Sequence, residues 1–459
     1  MSLGGAFMTL GAAKTAFSAG TDKRPNILLV VSDDQGWGDL PTNWKDTDIR
    51  MPVMENVGRT GIRFTSFYVN PLCAPTRSSL LTGLYSMENG MWRGPSRTAT
   101  IHYRGIKKGI ELLPQILQKA GYATGLFGKW HLGYDEGNLP NDRGFDEFYG
   151  FLGGAHTYQL RAGDKAYFHN GRQYCEDGHA TDYIAGKALD FIRAGAADEK
   201  PFFCYVAFNA VHGPLWRQEQ QKPSAKPQWL EKAEKSGIDF PRRDYVATLE
   251  HMDDCVGRLL AALEELKIEE NTLVIYLSDN GAITLEFPAN SVYPGNNGPL
   301  YGGKGSVYEG GIRVPCVMRW KGQFSEAVVS DSTAIHADIF STCLDAADIG
   351  AMKTNGGRPV RGVSLLPHIR SGGRNPLSER TIFFELTGRV AARKGRYKLV
   401  GEVQSSRAEW KKTAAELRNK DLELYDLSED IGEKKNLKDT LPEVYKSMKQ
   451  EMVEYFEMI

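Results

Sequence analysis

The sequence lacks long hydrophobic runs and an excess of charge of either sign. No stretch among its 459 residues approaches the roughly 18 to 20 consecutive apolar residues of a membrane-spanning helix, so we expect no membrane span. Acidic and basic residues number 57 and 56, which leaves a formal net charge of -1. Proteins that bind nucleic acid or acidic membrane surfaces carry a basic excess, and we therefore expect neither partner.

Cysteine is scarce and scattered along the chain. The six cysteines form no Cys-x-x-Cys pair, which argues against a structural zinc site and against a dense disulfide scaffold. They are Cys73, Cys175, Cys204, Cys255, Cys316 and Cys343. We expect five of them to pack as small side chains, whereas Cys73 is set apart by its neighbours.

The N-terminal segment, residues 1–22, differs in composition from the rest of the chain. Residues 4–20 are mostly small and apolar, as at the end of a secretory signal, but the basic segment that begins such a signal is missing. The alternative is a disordered N-terminus. We expect an exported protein, in a periplasmic, secreted or lysosome-like compartment.

Four short runs of β-branched and aromatic residues predict buried parallel strands, and segments with helical apolar spacing separate them. The predicted strands are 26–31, 123–127, 202–208 and 272–277, and the predicted helices are 111–120, 181–193 and 245–266. This alternation predicts an α/β domain in which helices cover both faces of a large, mostly parallel sheet.

After about residue 370 the pattern changes. Strand-like runs at 381–386, 389–392, 397–400 and 422–427 follow each other closely, and a helical segment begins at residue 441. They predict a smaller α+β domain with an antiparallel sheet. The predicted organisation is therefore a signal-like or disordered segment at 1–22, a large α/β domain at 23–370 and a small domain at 371–459.

Polar side chains follow each of the four predicted strands of the large domain. In chain order they are Asp33 and Asp34, Lys129 and His131, His212, and Asp279 and Asn280. Each has an ordinary explanation in turn or helix-cap chemistry, as a surface charge or as a loop histidine. Ligands of open parallel sheets bind outside the carboxyl ends of the strands, and a shared edge therefore favours one common site.

The chemistry of these side chains indicates a metal and an anion. Three carboxylates and one amide offer only oxygen, which suits Ca²⁺ or Mg²⁺, whereas zinc prefers nitrogen or sulfur. Lysine and histidine at the same edge indicate an anionic substrate. A metal ion together with cationic side chains stabilises the negative charge that develops when an anionic group is transferred.

The segment 70–83 predicts a helix that begins near Cys73. Pro75 suits a first helical turn, and Gly83 suits the end of the helix. The helix N-terminus favours an anion, and Arg77 lies one turn further on the same side. A thiolate is a competent nucleophile in such a place, so the residues alone leave open a cysteine-dependent hydrolase and a buried structural cysteine.

The run Cys73-Ala-Pro-Thr-Arg77, followed by Leu81-Thr-Gly83, resembles the modification signature of type I sulfatases of the arylsulfatase group, in the alkaline-phosphatase-like superfamily. Further runs resemble the same family in the same order: 25–28, 33–36, 128–133, 208–214, 278–281 and 302–315. The resemblance implies an alkaline-phosphatase-like α/β fold and a sulfuric ester hydrolase.

The resemblance also implies roles for individual residues. A maturation enzyme would oxidise Cys73 to formylglycine, whose hydrate attacks sulfur with one oxygen and expels inorganic sulfate when the aldehyde re-forms. One Ca²⁺, with Mg²⁺ as the alternative, would be held by residue 73 and by Asp33, Asp34, Asp279 and Asn280. Arg77 would position the diol, and His131 would take its proton. The sulfate oxygens would be bound by Lys129, Lys304 and His212, with His212 or Lys304 as the acid for the leaving oxygen.

Two other functions remain open at this point. Related folds use the same modified nucleophile on phosphorus, which leaves a phosphonate or phosphate monoester hydrolase, and a non-catalytic protein that binds sulfated glycans is the other. Candidate specificity segments are 91–97, 134–136, 156–158 and 287–297. Trp92 and Arg93 would stack on a sugar and pair with a second anion, which favours a sulfated saccharide; ordinary loop packing is the alternative.

Overall fold

The computed structural model describes residues 24–95, 105–213, 224–284, 294–324, 327–405 and 409–459. The signal-like segment 1–22 lies outside these ranges, as do residues 96–97 and 287–293 of the candidate specificity segments and residue 214. Across the described ranges, no helix combines the length and the apolar composition needed to cross a membrane.

The large domain is built on a sheet of eleven strands whose five central strands are parallel. The strands before residue 360 are β1 (Asn26–Ser32), β2 (Ile62–Tyr68), β3 (Ala123–Lys129), β4 (Glu147–Phe151), β5 (Gln159–Leu160), β6 (Tyr167–His169), β7 (Arg172–Gln173), β8 (Gly178–His179), β9 (Phe202–Ala207), β10 (Thr272–Ser278), β11 (Arg313–Arg319), β12 (Val328–Ser330), β13 (Ala334–Ile335), β14 (Thr354–Asn355) and β15 (Arg358–Pro359). The sheet order is β12-β2-β11-β10-β1-β9-β3-β4-β6-β7, and β13 also pairs with β2.

Strand direction divides this sheet into a centre and two margins. The strands β10, β1, β9, β3 and β4 run parallel, whereas β11 and β6 are antiparallel to their central neighbours. Two short pairs, β5 with β8 and β14 with β15, lie outside the large sheet. The four predicted strands are β1, β3, β9 and β10, which confirms the parallel sheet.

Helices cover both faces of the sheet. They are α1 (Pro52–Arg59), α2 (Cys73–Thr82), α3 (Ser86–Asn89), α4 (Leu113–Lys119), α5 (Ala180–Ala197), α6 (Pro227–Lys235), α7 (Arg242–Glu265), α8 (Glu309–Ile312), α9 (His336–Ala346) and α10 (Leu366–Arg370). Alternate residues of β1 point to opposite faces, so Leu29 joins the core formed with α2, α4 and α9, whereas Leu28 joins the core formed with α1, α5 and α7. Both faces are thus buried, as predicted.

The small domain carries a four-stranded antiparallel sheet in the order β16-β17-β18-β19. Its elements are β16 (Ile382–Leu386), β17 (Arg389–Lys394), β18 (Tyr397–Glu402), α11 (Trp410–Asn419), β19 (Glu423–Asp426) and α12 (Pro442–Met458). The predicted fold class is confirmed, although α11 was not predicted. The domain boundary near residue 370 stays a prediction.

A buried ionic cluster joins the two domains. Lys398 of β18 is fully buried, and its Nζ lies 3.0 Å from a carboxylate oxygen of Glu309 and 2.8 Å from one of Glu433. The Tyr68 hydroxyl donates to Glu309 at 2.6 Å. Removing one partner of a buried ion pair costs about 3–5 kcal/mol. The small domain is therefore held against the segment 302–315, which also carries Lys304.

Candidate active site

The carboxyl ends of the central strands meet at one edge of the sheet. Backbone hydrogen bonds continue past the strand ends: the Asp33 N–H donates to the Ala210 carbonyl at 2.8 Å, and the Asp279 N–H donates to Ser32 at 3.1 Å. The turns that follow β1, β9 and β10 are therefore locked together. All the polar side chains that follow the four predicted strands lie at this edge.

The helix α2 begins at Cys73 and ends at Thr82, with Gly83 as its C-cap, as the sequence predicts. Gly83 has a φ of 69°, a left-handed conformation that glycine adopts without strain. Cys73 is buried at the first position of the helix. Burial raises the pKa of the Cys73 thiol, and the nearby Lys129 and Lys304 charges only partly oppose this, so the unmodified thiol is not activated at neutral pH.

Three buried carboxylates each contact a cationic side chain. An Asp33 oxygen lies 2.6 Å from the Lys129 ammonium, and an Asp34 oxygen lies 2.6 Å from the Lys304 ammonium. Asp279 accepts hydrogen bonds from Nε and one terminal nitrogen of Arg77, at 2.9 and 2.7 Å. Three negative and three positive charges thus share the edge.

The side chains of Asp33, Asp34, Asp279 and Asn280 form a buried oxygen cluster. Some of its oxygen atoms have no hydrogen-bond partner in the described part of the chain. Asp33 Oδ1, Asp34 Oδ2 and Asn280 Oδ1 are buried and have no hydrogen-bond partner among the described residues. The Cys73 Sγ and carboxylate oxygens of Asp33 and Asp279 lie within 4.8 Å of one another. Buried oxygens without partners are costly, and hard divalent cations take oxygen ligands, so this donor set fits Ca²⁺ or Mg²⁺.

The pKa shifts show how closely the carboxylates are packed. Burial and the neighbouring Asp33 charge raise the pKa of Asp279 to about 6, against the opposing charge of Arg77. Burial also acts to raise the pKa of Asp34, but the charges of Lys304 and His212 outweigh it and hold that pKa well below its usual range. A divalent cation would relieve the repulsion around Asp279.

A second cluster of possible metal ligands lies away from this edge and differs in its charge balance. It comprises His179, Asp182 and His251. Asp182 is already contacted by Lys226 and Arg258, each at 2.8 Å, and by His251 at 3.0 Å. The Asp182 carboxylate is thus already paired with two cationic side chains and a histidine. These three residues therefore do not favour a metal ion.

Both histidines at the edge have lowered pKa values. Burial and the charges of Lys129 and Arg77 lower the pKa of His131, whose Nδ1 has no hydrogen-bond partner in the described ranges. Burial also lowers the pKa of His212. Its Nδ1 lies 2.6 Å from the Gly213 carbonyl, and its Nε2, 3.7 Å from Asp34 Oδ2, is the ring nitrogen that can accept or release a proton at the edge.

Lys304 is positioned by its own loop. The Lys304 N–H donates to the Ala282 carbonyl at 3.0 Å, and the Gly305 N–H donates to the Pro71 carbonyl at 2.9 Å. The loop therefore bridges the turn that carries Asp279 and the residues just before Cys73.

Two glycines border His131: Gly94, which lies in the candidate specificity segment 91–97, and Gly154, which the sequence reasoning missed. A Cβ at Gly154 would lie 2.7 Å from His131 Nε2, and one at Gly94 would lie 3.1 Å from it. His131 has a φ of 58°, unusual for a residue other than glycine. Gly154 follows β4, whose end lies at the same edge. The run of aromatic residues in β4 could have indicated this strand and its end, but Gly150 interrupts the run.

The candidate specificity segments have packing roles that the sequence left undecided. Trp92 is 3% exposed, and its ring packs edge-on against Trp410 with centroids 6.1 Å apart. The interpretation of Trp92 as a sugar platform is therefore wrong, whereas Arg93 is exposed. The Tyr158 hydroxyl lies 3.0 Å from the carbonyl oxygens of both Asn209 and His212, which share its single donor hydrogen, and so positions the His212 turn.

Comparison with known proteins gives consistent matches. A family model described as Sulfatase matches residues 25–349. N-acetylgalactosamine-6-sulfatase of Mus musculus is 33% identical over 392 residues, which cover 80% of this chain and 70% of that protein. The crystal structure of Ps i-CgsB in complex with k-i-k-neocarrahexaose has a TM-score of 0.81 at 28% identity, covering 95% of this chain and 93% of that one. The phosphonate monoester hydrolase SpPMH from Silicibacter pomeroyi shares the fold, with a TM-score of 0.65 at 18% identity over 94% of this chain and 95% of that one.

Proposed function

Because this chain belongs to the sulfatase family and is therefore a sulfuric ester hydrolase, we propose that it releases inorganic sulfate from a sulfated saccharide. We further propose that formylglycine made from Cys73 is the nucleophile and that Ca²⁺ is the cofactor. The observation that carries the proposal is the position of Cys73: it begins α2 within 4.8 Å of two carboxylates of a buried, incompletely paired oxygen cluster.

The proposed groups fit the residues present. Asp33, Asp34, Asp279, Asn280 and residue 73 would hold the ion, since three of these side chains have buried oxygens without partners in the described part of the chain. Bound there, the ion would add two positive charges to a site in which three cationic side chains balance three carboxylates, and it would attract a sulfate group. Formylglycine would supply a diol oxygen as the nucleophile.

The remaining side chains would bind the substrate and move protons. Lys129, Lys304 and His212 surround the carboxylates and would donate hydrogen bonds to the sulfate oxygens. Arg77, fixed by two hydrogen bonds to Asp279, would orient residue 73. The free Nδ1 of His131 would accept a proton, and His212 Nε2 or Lys304 Nζ would donate one to the leaving oxygen.

Two relatives support a saccharide substrate. One is named for a sulfated amino sugar, and the other was solved with an oligosaccharide bound. The exposed Arg93 is a suitable partner for a second anionic group of such a substrate. We also propose that the protein is exported, because residues 4–20 resemble the end of a secretory signal.

Rates on matched sulfate and phosphate monoesters test the reaction class. We expect the sulfate ester to be hydrolysed faster, because the matching family and the relative from Mus musculus are sulfatases. The measurement is kcat/KM for a sulfate and a phosphate ester of one phenol, with protein produced together with a formylglycine-generating enzyme. Faster turnover of the phosphate would favour the phosphonate and phosphate hydrolases of this fold.

The Gly154→Ala variant tests the role of His131. A methyl group at residue 154 would contact the imidazole closer than van der Waals distance, so the ring must move. A misplacement of about 1 Å costs up to roughly 10²-fold in rate, and we expect kcat to fall toward that value. The control is Gly186→Ala, because a Cβ at Gly186 meets no atom within 4 Å. Equal kcat in the two variants would contradict this role.

A further inference from the structure

Asn297 lies between two segments that carry candidate active-site residues. The turn after β10 carries Asp279 and Asn280, and the loop that leads to Lys304 follows Asn297 directly along the chain. The Asn297 side chain is 4% exposed. Because a buried amide group finds its hydrogen-bond partners within the protein, these partners show which segments Asn297 holds together.

The amide group of Asn297 makes three hydrogen bonds. Its Oδ1 accepts from the Ala282 N–H at 3.0 Å, and its Nδ2 donates to the Ala282 carbonyl at 3.1 Å. The same Nδ2 donates to the Gly302 carbonyl at 3.1 Å. The Ala282 carbonyl also accepts the Lys304 N–H at 3.0 Å. One side chain therefore fixes the turn after β10 against the loop that leads to Lys304.

The preceding residue, Asn296, contacts the turn after β1. The N–H groups of Asn296 and Gly36 both donate to Asp39 Oδ2, at 3.0 and 3.1 Å. Gly36 follows Asp34 by two residues, and a Cβ at Gly36 would lie 2.1 Å from the Asn296 carbonyl oxygen. The segment 296–297 is thus packed against the turns after both β1 and β10.

The Lys304 side chain returns to the first of these turns. Its Nζ lies 2.6 Å from Asp34 Oδ1. The backbone before it is closely packed, since a Cβ at Gly303 would lie 2.5 Å from the Ala282 carbonyl oxygen. The position of the ammonium group therefore depends on how the loop is held to Ala282.

We propose that Asn297 is a positioning residue for Lys304, which fixes the ammonium group relative to the turns that carry the proposed Ca²⁺ ligands. The inference deepens the proposed function and rests on it, because it takes Lys304 as a donor to the sulfate oxygens. Asn297 acts through the backbone of Ala282 and Gly302. Charge-assisted hydrogen bonds are short and require aligned donors, so a displaced ammonium group binds sulfate less tightly.

A thermodynamic cycle with inorganic sulfate as the probe tests this role. Calorimetry gives the Kd of sulfate for the Ca²⁺-loaded wild type, Asn297→Ala, Lys304→Met and the double variant, each produced with a formylglycine-generating enzyme. Since a hydrogen bond to a charged group is worth about tenfold or more, we expect Asn297→Ala alone to weaken sulfate binding about tenfold. In the Lys304→Met background the same change is expected to have no further effect, because the group that Asn297 positions is gone.

Asn355→Ala is the matched control. Asn355 is 1% exposed, and its Oδ1 accepts from the Glu111 N–H at 2.9 Å. Its Nδ2 donates to the carbonyls of Glu111 and Thr82, at 2.8 and 2.9 Å. The two variants lose the same hydrogen bonds and should lose similar stability, but only Asn297→Ala should weaken sulfate binding. Equal sulfate binding by the two variants would overturn the inference, and so would equal weakening by Asn297→Ala in both Lys304 backgrounds.

Gly303→Ala provides a second test that leaves Asn297 in place, should Asn297→Ala fail to fold. Its methyl group would press on the Ala282 carbonyl and displace the backbone beside Lys304. We expect sulfate binding to weaken about tenfold, as for loss of a hydrogen bond to a charged group. Binding equal to that of the wild type would show that the contact with Ala282 does not position Lys304.

Activity separates failure of this inference from failure of the proposed function. If the wild-type protein hydrolyses no sulfate ester, the proposed function is wrong, and the sulfate-binding cycle still decides on Asn297. If the protein hydrolyses sulfate esters but the effects of Asn297→Ala and Lys304→Met on sulfate binding simply add, only the positioning role is wrong. A wild-type protein that binds no sulfate would also overturn that role.

Discussion

The Cys73→Ala variant is expected to lose at least about 10⁴-fold in kcat/KM on any sulfate ester, the largest effect of a single change in this protein. The substitution removes the atom from which the nucleophile is made. It leaves the helix α2 intact, because alanine is the best helix former and the N-cap residue of this helix is Leu72, not residue 73. Protein yield and melting temperature should therefore change little.

The same prediction has a chemical readout. In active protein, the tryptic peptide 64–77 should have the mass expected when residue 73 has lost one sulfur and two hydrogens and gained one oxygen. Cys175→Ala is the control, since it removes another buried free thiol, outside the site. Full activity with only an unmodified thiol at residue 73 would show that the nucleophile has been assigned wrongly.

Removal of Ca²⁺ with a chelator is expected to lower the rate at least about 10³-fold, since a metal ion contributes several kcal/mol of charge stabilisation. The ion should also stabilise the fold, because it binds carboxylates that repel one another in its absence. At a free concentration 1,000 times Kd, linkage gives about 4 kcal/mol of stabilisation, which raises the melting temperature by several degrees. Thermal unfolding with and without Ca²⁺ measures this without any substrate.

Two variants locate the ion. Asp34→Asn removes a charge from the oxygen cluster and should abolish most of the Ca²⁺-dependent rise in melting temperature. Asp182→Asn should retain that rise, because Asp182 is already paired with Lys226 and Arg258. If Asp182→Asn abolishes the rise and Asp34→Asn keeps it, the ion occupies the second cluster instead.

Much of the fold was predictable because buried parallel strands are apolar on both faces. The strands β1, β3, β9 and β10 each consist of an uninterrupted or nearly uninterrupted apolar run, and their positions matched the prediction within two residues. In contrast, β11 begins and ends with arginine and contains Pro315, so its local pattern does not predict a buried strand. Its place beside β10 depends on pairing with β2 from far away in the chain.

The sequence by itself determined which chemical groups this protein brings to its site. The oxygen-rich donor set, the cysteine at the start of a helix and the lysines and histidines after the strands are local features, and local features are encoded by neighbouring residues.

Only the tertiary structure decided how these groups are paired. Arg77 binds Asp279 across 202 residues, and Asn280 donates to Asp34 across 246. Which oxygens remain free for a metal and which glycines leave room for His131 both follow from such distant contacts. Electrostatic and packing energies depend on distance in space, and the spacing of residues along the chain does not specify that distance.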